Sequence, residues 1–222
     1  MEKLKKHTRV NDILLGPLER PALQWLAAHM PAWVTPDICT ATGIAGALLT
    51  MVSYLFSNYS PGYLWLASLG FIVNWFGDSL DGTLARYRRV ERPRYGFYID
   101  HMTDVVCQVM ILLGLGLTPY VSFNVACLAL ISYLLLSVLV YVRTYVVGEF
   151  KISYGGLGPT ESRVIAVLLN TSMYFFGQQN IVLGQGAFSI YDLFVAGIAL
   201  LLLSFFLNTS TREARRLAAL GE

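Results

Sequence analysis

Residues 77–104 read GDSLDGTLARYRRVERPRYGFYIDHMTD, and both flanks are apolar segments long enough to cross a bilayer. Four aspartates, Asp78, Asp81, Asp100 and Asp104, fall inside this stretch. At about 100° per residue, Asp78, Asp81 and Ala85 share one helical face, and Gly96, Asp100 and Asp104 share another. The ten basic and polar residues between Ala85 and Gly96 form a link short enough to predict two antiparallel neighbouring helices, with both acidic faces at one membrane depth. Carboxylates at that depth cost roughly 2.5–3.5 kcal/mol each on insertion scales, and they repel one another. Their neutralisation is therefore required. An all-oxygen cluster suits a hard divalent cation, Mg²⁺ or Mn²⁺ before Zn²⁺, and no Cys or His cluster argues otherwise.

Composition sets the surroundings. The chain has 222 residues, room for one domain, and is 55% hydrophobic but only 14% charged. With a positive mean hydropathy, this predicts an integral membrane protein rather than a large soluble core. The net charge of +2 is uninformative, and no nucleic-acid partner is expected. Cys39, Cys107 and Cys127 lie in apolar segments without C-x-x-C spacing, which makes them small core residues rather than a disulfide framework. The N-terminus, MEKLKKHTRVND, lacks an apolar core and cleavage site, so no removable leader is expected.

Working outward from the acidic stretch, the pattern predicts an all-α fold of six transmembrane helices preceded by an N-terminal interfacial amphipathic helix. Residues 1–34 would be a cytoplasmic tail and the interfacial helix, the latter over 13–33, where Pro17, Glu19, Arg20 and Pro21 interrupt the apolar run. A six-helix bundle would occupy 35–210, and 211–222 would be a second cytoplasmic tail. The spans are expected at 37–57, 63–86, 95–117, 122–147, 160–177 and 190–208, separated by turns rich in Pro, Gly and Asn. Every Lys and Arg then falls on one side of the membrane, and the three opposite turns carry none. By the positive-inside rule that side is cytoplasmic, and the aspartates lie on it.

Asp78, Asp81, Gly82, Ala85, Arg86, Gly96, Asp100 and Asp104 follow the pattern D-x2-D-G-x2-A-R-x8/9-G-x3-D-x3-D, with nine residues in the variable gap. This resembles the signature of the class I CDP-alcohol phosphotransferases, integral membrane enzymes of phospholipid synthesis. The motif covers about an eighth of the chain, and the number of apolar segments also fits. The resemblance implies a transfer of a substituted phosphate from a CDP-alcohol donor to an alcohol acceptor, with release of CMP. It implies two bridging metal ions held by Asp78, Asp81 and Asp100, with Asp104 contributing to the metal site and serving as general base. It also implies a homodimer among membrane lipids.

Other positions admit two readings each. Gly82 and Gly96 are either helix-packing glycines or space kept clear for the nucleotide, and Ala85 combines close packing with nucleotide room. Arg86 either pairs with a pyrophosphate oxygen or anchors the cytoplasmic side. Asp37 and Thr40 lie in PDICT, where the family more often has P-N-x-x-T, so Asp37 is a nucleotide contact or a helix cap. His101 resembles the Asp-His pair of choline- and ethanolamine-type members, or is a packing residue. Arg143, Lys151, Glu161 and Arg163 flank a Gly-rich loop and form either an acceptor pocket for an acidic group or an inside-positive anchor. Two other functions use similar residues: a Mg²⁺-dependent membrane prenyltransferase and a divalent-cation channel or transporter. The first typically has two separated acidic motifs. The second needs polar residues that continue across the membrane, whereas YLWLASLGFIV and VVCQVMILLGLGL are apolar.

Overall fold

In a computed structural model, residues 8–10, 14–147, 149–151, 158–183 and 186–220 are described; residues 8–10, 147, 149–151, 182–183 and 186–187 are described by backbone alone. The expected tail of residues 1–12 and the Gly-rich connection of 148–159 lie mostly outside them. The described residues form seven helices: α1 (Gly16–His29), α2 (Pro36–Phe56), α3 (Tyr63–Arg88), α4 (Pro93–Gly116), α5 (Phe123–Val147), α6 (Pro159–Phe176) and α7 (Ile190–Leu220). Four short strands join them, a departure from the all-α expectation confined to connections. β1 (Thr8–Val10) pairs parallel with β2 (Glu149–Lys151), and β3 (Asn180–Leu183) pairs antiparallel with β4 (Gly186–Ser189).

The helix boundaries follow from punctuation. Thr35 caps α2 by accepting from Ile38 N (3.3 Å), and Pro36 occupies the first turn, where its missing N–H costs nothing. Pro93 and Pro159 open α4 and α6 in the same way. Gly177, at φ 63°, ends α6 in a conformation L side chains avoid. One boundary differs from expectation: α7 runs unbroken from 190 to 220 through the expected tail. Glu213 of that extension pairs with Arg143 of α5 at 3.0 Å, which holds it helical against its neighbour.

α2, α4, α5 and α7 are long and apolar enough to cross a membrane. α3 and α6 carry charged residues, among them Asp78, Asp81, Glu161 and Arg163, which lowers their mean hydropathy. The closest helix pair is α2 on α3, where the two backbones touch. A β-carbon on Gly46 would stand 2.8 Å from Gly70 O, and one on Gly77 would overlap the backbone of Cys39 and Gly43. Such seams let helices associate where lipid removes the usual hydrophobic drive. Buried polar bonds tie in α6: the Tyr54 hydroxyl donates to Asn170 Oδ1 (2.8 Å), and Asn170 Nδ2 donates to Ser68 Oγ (3.2 Å).

The predicted pairing of the two acid-bearing helices is not what forms. α4 packs chiefly on α2 and α5, and α2 stands between α3 and α4. The link is also shorter than the sequence suggests, because α3 continues to Arg88 and α4 restarts at Pro93. Arg88 explains the extra turn: its guanidinium donates to the carbonyls of Met30 (2.9 Å), Pro31 (2.8 Å) and Val34, wrapping the exit of α1. α1 in turn buries Leu23 and Ala27 against Leu80 and Leu84 of α3, while Leu14, Leu18, Trp25 and Trp33 around it remain exposed.

Candidate active site

The acidic faces do converge, across the space left by α2. One carboxylate oxygen from each of Asp78, Asp100 and Asp104 lies within 4.8 Å of the others. All three residues are part-buried, on α3 and α4. Asp81, one turn on from Asp78, is outside this group: its Oδ2 accepts from Thr40 Oγ1 at 2.7 Å, and its Oδ1 from the adjoining Gly82 N. A small cavity at the floor of the cluster is lined by Thr40 and Gly43 of α2, Asn74 and Asp78 of α3, and Thr103, Asp104 and Cys107 of α4.

Charge is the cluster's main property. Arg163 of α6 pairs with Asp78 (Nη2–Oδ2 2.6 Å), and its Nε donates to Asn74 Oδ1 (2.9 Å). Asp100 Oδ2 is 3.1 Å from His101 Nδ1, and the His101 ring stacks on Phe97 (centroids 4.1 Å) and lies 5.0 Å from Tyr141. One guanidinium against three converging carboxylates leaves an excess of negative charge in a half-buried place, and the donors are all hard oxygens. This set fits a divalent cation.

Among the described residues, the motif glycines have no close packing partner in backbone. A β-carbon at Gly96 would meet nothing within 4 Å, and one at Gly82 would meet only the mobile end of Arg86, at 3.2 Å. Ala85 is part-buried, and Arg86 is exposed, with Nη2 donating to Thr83 Oγ1 (3.2 Å). Asp37 is exposed and ion-paired with Arg92; the cap of α2 is Thr35, not Asp37.

Of the four residues expected around an acceptor pocket, the three whose side chains are described have different partners. Arg143 is turned to Glu213, and the Lys151 side chain lies outside the described residues. Glu161 is buried, with one oxygen accepting from Leu15 N (2.8 Å) and the other from Gly158 N (2.9 Å), so that it ties α1 to the start of α6. Only Arg163 reaches the aspartates. Glu19, Asn74, Thr103 and Tyr141 were not singled out from sequence. Asn74 lies one turn before Asp78 on the same face and was findable by spacing; Tyr141 carries no local signal. Glu19 Oε1 accepts from Trp75 Nε1 (2.9 Å), Ser79 Oγ (3.1 Å) and Thr160 Oγ1 (2.9 Å), joining α1, α3 and α6 beside the site.

A family model described as CDP-alcohol phosphatidyltransferase matches residues 33–207, which include every aspartate of the cluster. The chain belongs to this family. Among curated proteins it is similar to cholinephosphotransferase 1 of Gallus gallus, with 25% identity over 191 residues, covering 80% of this chain and 55% of that protein. The Danio rerio protein of the same name is 24% identical over 182 residues, covering 78% and 46%. That of Mus musculus is 25% identical over 179 residues, covering 76% and 44%. The chain thus spans about half the length of the curated relatives it matches.

Proposed function

We propose that this protein transfers a substituted phosphate group from a CDP-alcohol to an alcohol acceptor, with CMP released, as a step of phospholipid synthesis. The observation that carries the reading is the convergence of Asp78, Asp100 and Asp104 within 4.8 Å, in the spacing of the family's motif. The relatives' name makes CDP-choline the first donor to test and a lipid alcohol the first acceptor. Asp78, Asp81, Asp100 and Asp104 would hold two Mg²⁺ or Mn²⁺ ions, which would offset the charge of the donor's diphosphate. Gly82, Ala85 and Gly96 leave room for the nucleotide, and Thr40 and Arg86 stand at its edge. Asp104 takes the acceptor's hydroxyl proton as the acceptor oxygen bonds the β-phosphorus and the bond from that phosphorus to the CMP oxygen breaks.

The setting follows from the same residues. Residues 1–222 would form one domain of six spans, α2 to α7, with α1 lying along the membrane on its exposed Leu18 and Trp25, beside Trp33 of the following turn. By the positive-inside rule the arginines of the α3–α4 link support a site on the cytoplasmic face; the homodimer rests on the family resemblance alone. The test is CMP release by purified protein given Mg²⁺, CDP-choline and diacylglycerol, with other CDP-alcohols in parallel and the lipid product weighed by mass spectrometry. Asp104→Asn is expected to lower turnover about 10²–10⁴-fold and to leave nucleotide binding largely intact. Full activity in that variant removes Asp104 from the base role, and no CMP release with any donor overturns the function.

A further inference from the structure

Arg163 comes from α6, which supplies no carboxylate to the cluster, yet it makes the cluster's one ion pair with a permanently charged partner among the described residues. Its guanidinium is held at two points. Nε is fixed on Asn74 Oδ1, and Asn74 is itself buried and donates Nδ2 to Gly43 O (2.9 Å) in the α2–α3 seam. Nη2 is on Asp78. The remaining terminal nitrogen, Nη1, is buried with no hydrogen-bond partner among the described residues. A buried donor left unmade is destabilising, so the arrangement is incomplete without something more.

We propose that Arg163 is a resident counter-charge for Asp78, which yields that carboxylate to an incoming divalent cation and then presents Nη1 and Nη2 as a two-pronged donor to the donor's diphosphate. The inference rests on the metal-dependent reading above. Two features of the geometry support it. A cation arriving at the Asp78 carboxylate competes with, and is repelled by, the guanidinium held on its Oδ2 at 2.6 Å. The Asn74 anchor on Nε keeps the group in place when Asp78 is released, so the two freed terminal nitrogens stay parallel, the arrangement that matches two oxygens of a phosphate. Arg163 therefore acts with opposite sign on the two ligands: it weakens binding of the metal and strengthens binding of the nucleotide. A purely structural arginine would not do this.

The test titrates full-length protein in detergent with Mn²⁺, reading free ion by electron paramagnetic resonance, and then measures CDP-choline affinity at saturating Mn²⁺. Arg163→Met is expected to bind Mn²⁺ about tenfold tighter and CDP-choline about tenfold more weakly than the parent. Arg92→Met, which removes a surface arginine paired with Asp37, should change Mn²⁺ affinity less than about twofold. Arg163→Lys keeps a charge but loses the fork; it should bind Mn²⁺ about threefold tighter without recovering nucleotide affinity. That variant decides the matter if Arg163→Met does not fold. Unchanged or weaker Mn²⁺ binding by the Arg163 variants, in a parent that binds Mn²⁺ and releases CMP, overturns this inference alone. A parent that binds no Mn²⁺ overturns the metal-dependent reading together with it.

Discussion

Gly46 and Gly77 stand where two helix backbones touch, whereas Gly82 and Gly96 face open space or the loose end of one arginine. All four lie in helices of the same bundle, where close packing is a general reason for glycine. Their surroundings separate them. In the α2–α3 seam a methyl group has backbone in its way, which cannot rotate aside, so the glycines there are conditions of the fold. In the acidic motif a methyl group has room, so folding of this chain alone gives no reason for glycine. Under the proposed function, what glycine keeps clear at 82 and 96 is volume beside the carboxylates for the nucleotide.

The comparison breaks first at Gly77. Gly77→Leu should prevent α2 and α3 from closing and yield little folded protein, as read by size exclusion in detergent; the overlap exceeds the side-chain adjustments that typically cost about 1–3 kcal/mol. A well-folded variant would mean that the seam is softer than its contacts imply. Gly82→Leu should do the reverse, with a melting temperature within a few degrees of the parent but CDP-alcohol affinity down about tenfold or more. Unchanged affinity would contradict the argument from space. The smallest effect belongs to Gly96→Ala, where one methyl group enters an open place: unchanged stability, and a loss of nucleotide affinity of about threefold or less. A large loss of stability there would show that Gly96 packs against something beyond this chain.

The seam and the motif also differ in how far they could be read in advance. The helix starts were legible because Pro36, Pro93 and Pro159 stop one element and start the next by local geometry. The aspartates were legible because a three- or four-residue spacing sets a helical face whatever the helix packs on. The position of α2 between α3 and α4 was not, since helix order in a bundle depends on which small residues meet, and no local pattern records the partner. The same reason hid the destinations of the charges. Arg143, Glu161 and Arg163 looked alike as members of a basic, Gly-rich connection. Yet one is bound to Glu213, one to the backbone of Leu15 and Gly158, and one to Asp78. Apart from Gly158, each partner lies far along the chain.

One contact of α4 has a mechanical consequence. A β-carbon on Gly114 would stand 2.9 Å from Met51 Cα, so α4 is pressed onto α2 at the end far from the aspartates, while a β-carbon on Gly96 would meet nothing within 4 Å among the described residues. Contact that close makes the Gly114 end the fulcrum of any tilt of the helix. Asp104 lies about 15 Å from that grip at 1.5 Å rise per residue, so a tilt of about 5° would carry its carboxylate by roughly 1 Å. Asp78 and Asp81 lie on the helix locked in the seam, so such a tilt would fall on the α4 side alone and would change the spacing between the two halves of the site.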